Sequence, residues 1–245
     1  MSLIYRSLVN SSDLEKFELR IEETNLLVLF SPNFSSSVAN LKDIAYRSLL
    51  NCRRQIENYI KEHPSFQKSY APVKVKKKAS LIIQEMAKAS SLVNVGPMAT
   101  VAGTIAEFVG KELLKFSEEV IVENGGDIFL KSNKRRSVAI YAGDSPLSKK
   151  IALKVNPEST PIGICSSSGT FGHSFSFGKA DSVVAVAKSA ALADASATAI
   201  GNLIQTRADL SKGIEFAKRV PGLLGAIIIK EDKIAIWGKI KIVDI

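Results

Sequence analysis

The chain has 245 residues, 46% of them apolar and 23% charged, with a formal net charge of +9 at pH 7. That size and apolar content allow a large buried core, read as a single domain over residues 1–245 with two closely joined subdomains as the alternative. No apolar run approaches the roughly 20 residues of a membrane-spanning helix. The opening Met-Ser-Leu-Ile-Tyr-Arg-Ser also lacks the basic-then-apolar order of a signal peptide. A cytoplasmic location without membrane association is therefore expected.

Much of the lysine excess is local, as in Lys74-Val75-Lys76-Lys77-Lys78 and Lys131-Ser132-Asn133-Lys134-Arg135-Arg136. Aromatics make up 7% of the chain and do not interleave with these runs as a base-stacking surface requires, so charge alone points to nucleic acid and the expectation is against it. The basic runs read as solvated turns and helix starts, with steering of an anionic ligand as a secondary role. Cys52 and Cys165 sit in unrelated contexts with no Cys-x-x-Cys pair, which predicts buried thiols in place of a zinc site or a disulfide framework.

In chain order, residues 4–9, 17–22 and 26–30 read as strands. Apolar residues at Val38, Leu41, Ile44, Ala45, Leu49, Ile56 and Ile60 predict a helix over 35–62 that ends before His63-Pro64. A polar connection over 65–73 leads to a helix over 79–92, and Gly96-Pro97 opens a third helix reaching about residue 116. Strands are expected at 120–123, 127–131, 137–141, 151–155, 162–166 and 182–187, then helices at 189–206 and 210–219. The end, 225–229, 233–237 and 239–243, reads as an antiparallel meander. Helices and strands fall in blocks, which predicts an α+β fold with antiparallel sheets flanked by helices over a doubly wound one.

Residues 193–198, Ala-Asp-Ala-Ser-Ala-Thr, set Asp194 and Thr198 a helical turn apart among nearly bare neighbours. Two hard oxygens on one helix face suit Mg²⁺, which takes one or two carboxylates together with substrate phosphates. A helix packed on a sheet, with Thr198 bonding back to a carbonyl, explains the same residues structurally.

Three other segments can converge on a phosphate-bearing ligand. Gly96 to Glu107 offers free N–H groups at a helix start, without the Gly-Lys-Ser/Thr of a P-loop. Asn124-Gly125-Gly126-Asp127 is either a β-hairpin turn or a place where glycines clear space for a ring while Asn124 and Asp127 supply polar contacts. Ser166-Ser167-Ser168-Gly169-Thr170-Phe171-Gly172-His173 offers hydroxyls and N–H groups for phosphate, with His173 as a base near neutral pH. Each segment also reads as ordinary helix packing or a loop. No nucleophile elbow and no strand-borne Gly-x-Gly-x-x-Gly is present, which weakens hydrolase and dinucleotide-dehydrogenase readings.

Taken in order, these four segments resemble the ApbE family of flavin transferases, the likeness being to its shorter, uncharacterised branch. Gly103-Thr104-Ile105-Ala106-Glu107 is similar to the family's Gly-Gly-Ile-Ala-Lys, Asn124-Gly125-Gly126-Asp127-Ile128 to its Asn-x-Gly-Gly-Asp-Ile, Ser167-Ser168-Gly169 to its Ser-Gly loop, and Leu192 to Ala199 to its Ala-Asp-Ala-Leu-Ala-Thr-Ala. The resemblance implies an ApbE-like fold and Mg²⁺-dependent transfer of FMN from FAD to a hydroxyl of an acceptor protein, with release of AMP. It implies that Asp194 and Thr198 hold the metal with the carbonyl of Ala106. It further implies that Thr104, the loop Asn124, Gly125, Gly126 and Asp127, and Ser167, Ser168 and Gly169 border the flavin nucleotide, and that His173 is the base. Glu107 stands where the family has lysine, which predicts a carboxylate repelling the phosphates, and the Asp-Pro-Arg-Thr-Gly hairpin is replaced by the shorter Ser174 to Lys179. The alternative function on the same fold is binding of a nucleotide or other phosphate-bearing small molecule without that chemistry. The residues leave the oligomeric state open.

Overall fold

The second strand of this chain is covered on both faces, and its side chains alternate between two cores: Leu26, Val28 and Phe30 join a helix-side core while Leu27 and Leu29 join a core on the opposite face. The computed structural model describes residues 11–32, 37–170 and 176–245. The strand expected at 4–9, and His173, lie outside them.

Strands β1 (Glu15–Ile21) and β2 (Thr24–Phe30) form a hairpin. Helix α1 (Val38–Glu62) follows, started by the Ser37 hydroxyl, which accepts from the Asn40 N–H at 3.2 Å. Its buried Leu41, Ala45, Leu49, Cys52 and Ile56 recur at helical spacing. The connection after His63 carries a short helix, α2 (Ser65–Lys68), nucleated around the fully buried Phe66. Helix α3 (Leu81–Leu92) then leads to Gly96, and here one expected helix becomes two pieces: a 3₁₀ turn at Pro97–Thr100 and helix α4 (Val101–Leu113). Thr100 departs from helical geometry between them, and its hydroxyl donates to the Pro97 carbonyl at 2.7 Å.

Strands β3 (Val120–Asn124) and β4 (Asp127–Lys131) come next, followed by β5 (Arg136–Ala139), β6 (Ile151–Val155), β7 (Ile162–Ser167) and β8 (Ser182–Ala187). Helices α5 (Ala190–Asn202) and α6 (Leu210–Arg219) precede β9 (Leu223–Lys230), β10 (Lys233–Gly238) and β11 (Lys241–Asp244). Eight strands form one antiparallel sheet in the order β1-β2-β3-β4-β7-β8-β9-β10, and β11-β6-β5 form a second. The terminal meander expected from sequence is therefore corrected: β9 pairs with β10, but β11 leaves for the small sheet and pairs with β6.

Three layers result, with helices on one face of the large sheet and the small sheet on the other, as an α+β reading requires. Helices α1, α3 and α4 cover β1 to β4, and α5 and α6 cover β7 to β9. Between the sheets, Arg136 of β5 is buried and bonds Glu119 at 2.7 Å and Asp13 at 2.5 Å, tying the layers together. Both cysteines are free and buried, as expected. Among the described residues no single helix is long and apolar enough to cross a membrane, and the bent pair α3 and Pro97–Leu113, apolar enough by composition, packs into the core.

Candidate functional site

Two strand pairs and two helix ends meet near the middle of the large sheet. The β3–β4 turn pairs Asn124 with Asp127, and Gly125 and Gly126 adopt φ values of 66° and 105°. The glycines thus serve the hairpin, whose two-residue turn needs positive φ. Strand alternation then sends Asn124 and Asp127 to the helix side, because Val122 and Phe129 beside them join the helix-side core.

Above them the helices cross at small residues. A Cβ on Gly103 would meet the Ala190 carbonyl oxygen at 2.5 Å, and one on Gly163 of β7 would meet the Ala190 Cα at 2.3 Å. Glycine at both positions is what lets α5 lie against α4 and the sheet at once. The crossing is locked by two carboxylates. Asp194 of α5 accepts from the Gly103 N–H at 2.9 Å, and Glu107 of α4 accepts from the Ala190 N–H at 2.6 Å and the Ser189 hydroxyl at 3.1 Å. Lys111 donates to the other Glu107 oxygen at 2.6 Å. The expectation that Glu107 repels ligand phosphates is corrected: its charge is held by the α5 N-terminus and Lys111, where a helix start favours an anion.

Asn124 donates to the Ala102 carbonyl at 3.1 Å. Asn124 and Asp194 are therefore joined through consecutive residues of α4. Asp127 accepts from the Ser166 N–H at 3.1 Å, and the Ser166 hydroxyl donates to the Gly126 carbonyl at 3.1 Å, which fastens the third segment to the second. Thr104 is buried and its hydroxyl donates to the Thr100 carbonyl at 2.5 Å. Ala106 lies one turn into α4 from Gly103 and is fully buried, and Thr198 is half-buried one turn beyond Asp194. Ser167 and Ser168 are half-buried and Gly169 is exposed at the rim, where its N–H donates to the Ala180 carbonyl at 2.9 Å.

Asp127 and Asp194 are both buried, and each lacks an ion-pair partner among the described residues. Burial pushes the Asp194 carboxyl up to about 7 against the pull of the Gly103 and Ala102 N–H groups. Burial, and then the charge of Asp194, push Asp127 well above the usual carboxylate range. Burial and the same two carboxylates also raise the Cys165 thiol, which donates to the Ala190 carbonyl at 3.3 Å. Two buried carboxylates that repel one another must share protons or take up a cation. Among the described residues no three His, Cys, Asp or Glu side chains gather as a metal site, so a cation here would draw on the two carboxylates and on ligand oxygens. Such a hard-oxygen set fits Mg²⁺.

One feature of the rim escaped the sequence pattern. Tyr70 and Phe177 stand edge to face with ring centroids 5.2 Å apart, although 67% and 54% exposed. Phe177 is fixed by its N–H donating to the Asn202 side chain at the end of α5, at 3.0 Å. A separation of over 100 positions left no local signal that they meet.

A family model described as "AbpE bacteria" matches residues 6–220. The chain belongs to that ApbE-like family. Relatives of this chain include the UPF0280 protein of Methanococcus aeolicus, 44% identical over 203 residues that cover 81% of this chain and 82% of the relative. The UPF0280 protein of Methanocaldococcus jannaschii is 38% identical over 230 residues, covering 92% and 91%. In three dimensions the chain is similar to the flavin transferase ApbE from Vibrio cholerae, with a TM-score of 0.62, 15% identity, and 91% and 97% of the two chains covered. The apo form of the Pseudomonas stutzeri flavinyl transferase ApbE gives a TM-score of 0.63 at 13% identity, covering 92% and 94%. These likenesses establish the ApbE fold expected from the four ordered segments.

Proposed function

We propose that this chain is a cytoplasmic, Mg²⁺-dependent flavin transferase that moves FMN from FAD to a hydroxyl of an acceptor protein and releases AMP. The observation that carries the reading is the buried pair Asp127 and Asp194, unpaired with any cation among the described residues and set where all four segments converge. The fold shared with flavin transferases supports it.

Asp194 and Asp127 would hold the metal, with Thr198 and the Ala106 carbonyl completing the protein's share. A divalent cation there supplies charge neutralisation to a pyrophosphate and polarises its phosphorus. Asn124 and the Gly125-Gly126 turn border the nucleotide, Ser167 and Ser168 offer hydroxyls to its phosphates beside Gly169, and Thr104 buttresses α4 from within. Tyr70 and Phe177 present ring faces and edges at the rim for a flat heterocycle. The acceptor hydroxyl attacks the FMN phosphorus, the bond to the AMP phosphate breaks with its electron pair leaving on AMP, and His173 takes the hydroxyl proton.

The test is incubation of the purified protein with FAD and Mg²⁺, where water stands in for the acceptor hydroxyl, scoring AMP and free FMN by chromatography. AMP formation that chelator abolishes supports transfer. Tight FAD binding without AMP would leave the site a nucleotide-binding one.

A further inference from the structure

A cluster of lysines lies on a surface that the four segments of the flavin site do not include. Residues Val73 to Lys77 run alongside the exposed face of α3 and enclose an open groove of about 560 Å³. Lys74, Lys76, Lys77 and Lys88 line it, with Glu85 as the one carboxylate among the lining residues and Lys78 exposed beside them. Among the described residues none of these five lysines forms an ion pair, and four of them line the same groove. Five ammonium groups against the single lining carboxylate of Glu85 raise the local potential and attract an anionic partner.

The apolar content of the surface decides what kind of anion. Positions 81, 84, 85, 88, 91 and 92 fall on one side of α3 by helical spacing. Leu81 and Leu92, at its two ends, are 63% and 44% exposed, and Val73 and Val75 form part of the groove wall. No aromatic and no arginine lines the groove. Bases would find no ring to stack on, whereas an acidic peptide can set its carboxylates on the lysines while its apolar side chains cover the leucines. The surface is also connected to the flavin site. The chain entering the groove starts at Ser69, whose carbonyl oxygen packs so closely on Gly96 that a Cβ there would lie 1.9 Å away, and Gly96 opens the turn that delivers α4.

We infer that the groove between Val73 to Lys77 and α3 is a docking surface for an acidic, leucine-bearing segment of a partner protein. The inference goes beyond flavin transfer and stands whether or not transfer occurs.

The experiment measures fluorescence anisotropy of a labelled peptide of repeated Glu-Glu-Leu and, in parallel, of a labelled oligothymidine of similar charge. The proteins are the parent, the exposed triple variant Lys76→Glu/Lys77→Glu/Lys88→Glu, the single variant Leu81→Ser, and a distant control, Lys239→Glu/Lys241→Glu. The expected result is salt-sensitive binding of the peptide by the parent, weakened about tenfold or more by the triple change. Leu81→Ser should weaken it severalfold and the distant control should change it little. FAD turnover to AMP, followed in the same samples, should be equal in parent and triple variant, so the flavin reading is scored separately. Absence of peptide binding, binding that survives the triple change, or tighter binding of oligothymidine than of peptide would overturn the inference.

Discussion

Glu107 on α4 and Asp194 on α5 cap each other's helices: Glu107 accepts from the Ala190 N–H at 2.6 Å, and Asp194 from the Gly103 N–H at 2.9 Å. Each carboxylate satisfies N–H groups that a helix start leaves without intrahelical partners. The crossing that positions the candidate site is thus fixed from both sides.

Glu107→Ala should therefore destabilise the protein by about 1–3 kcal/mol, since it strips a buried N–H of its acceptor. Glu107→Gln, which keeps one acceptor oxygen, should cost less. Glu107→Lys should cost more than either, because an ammonium would face the positive end of α5. Denaturant unfolding of the three variants checks the order, and a Lys variant as stable as the parent would refute the capping role.

The Asp194 carboxyl, raised to about 7, gives a pH signature with a definite sign. A raised carboxyl binds more protons folded than unfolded, so its contribution is complete below the unfolded value of 3.8 and is lost as pH climbs through 7. With chelator present, thermal stability should fall between these limits, and Asp194→Asn should flatten that part of the profile. Mg²⁺ should raise stability most at the alkaline end, where the carboxylates are charged. Melting curves across pH for parent and variant make the comparison, and a profile identical in both would remove Asp194 as its source.

Much of this was legible in the sequence because it rests on local patterns. The helical spacing from Leu41 to Ile56 and the Asn124 to Asp127 hairpin follow from residue type and turn chemistry. The departure of β11 to the small sheet was not legible, because Lys233–Gly238 and Lys241–Asp244 look alike as strands and only tertiary packing separates them. Glu107 misled in the same way. A carboxylate in a motif carries no sign of which N–H groups it will meet, and its partners at Ser189 and Ala190 lie more than 80 positions away. The pairing of Tyr70 with Phe177 was hidden for the same reason.

Gly163 tests the close approach of α5 to the sheet. A Cβ there would lie 2.3 Å from the Ala190 Cα, a backbone neighbour with no flexible end to yield. Gly163→Ala should cost roughly 1–3 kcal/mol through overpacking and should weaken nucleotide binding by displacing Asp194. Gly125→Ala faces open space and meets only the penalty of its positive φ, about 1–2 kcal/mol. Gly125→Ala also alters the turn proposed to border the nucleotide, so the two are separated by the pH dependence of stability that Asp194 contributes, which only the shift of α5 in Gly163→Ala is expected to change.

Whether the Asp127 and Asp194 pair holds a divalent cation for pyrophosphate chemistry is read from the rate of AMP release from FAD in the parent, Asp194→Asn and Asp127→Asn proteins at saturating Mg²⁺. Chelator-sensitive AMP release by the parent is expected, with a loss of about 100-fold or more in Asp194→Asn and a comparable loss in Asp127→Asn, while both variants remain folded. AMP release that persists at the parental rate without either carboxylate, or that ignores chelator, would contradict it.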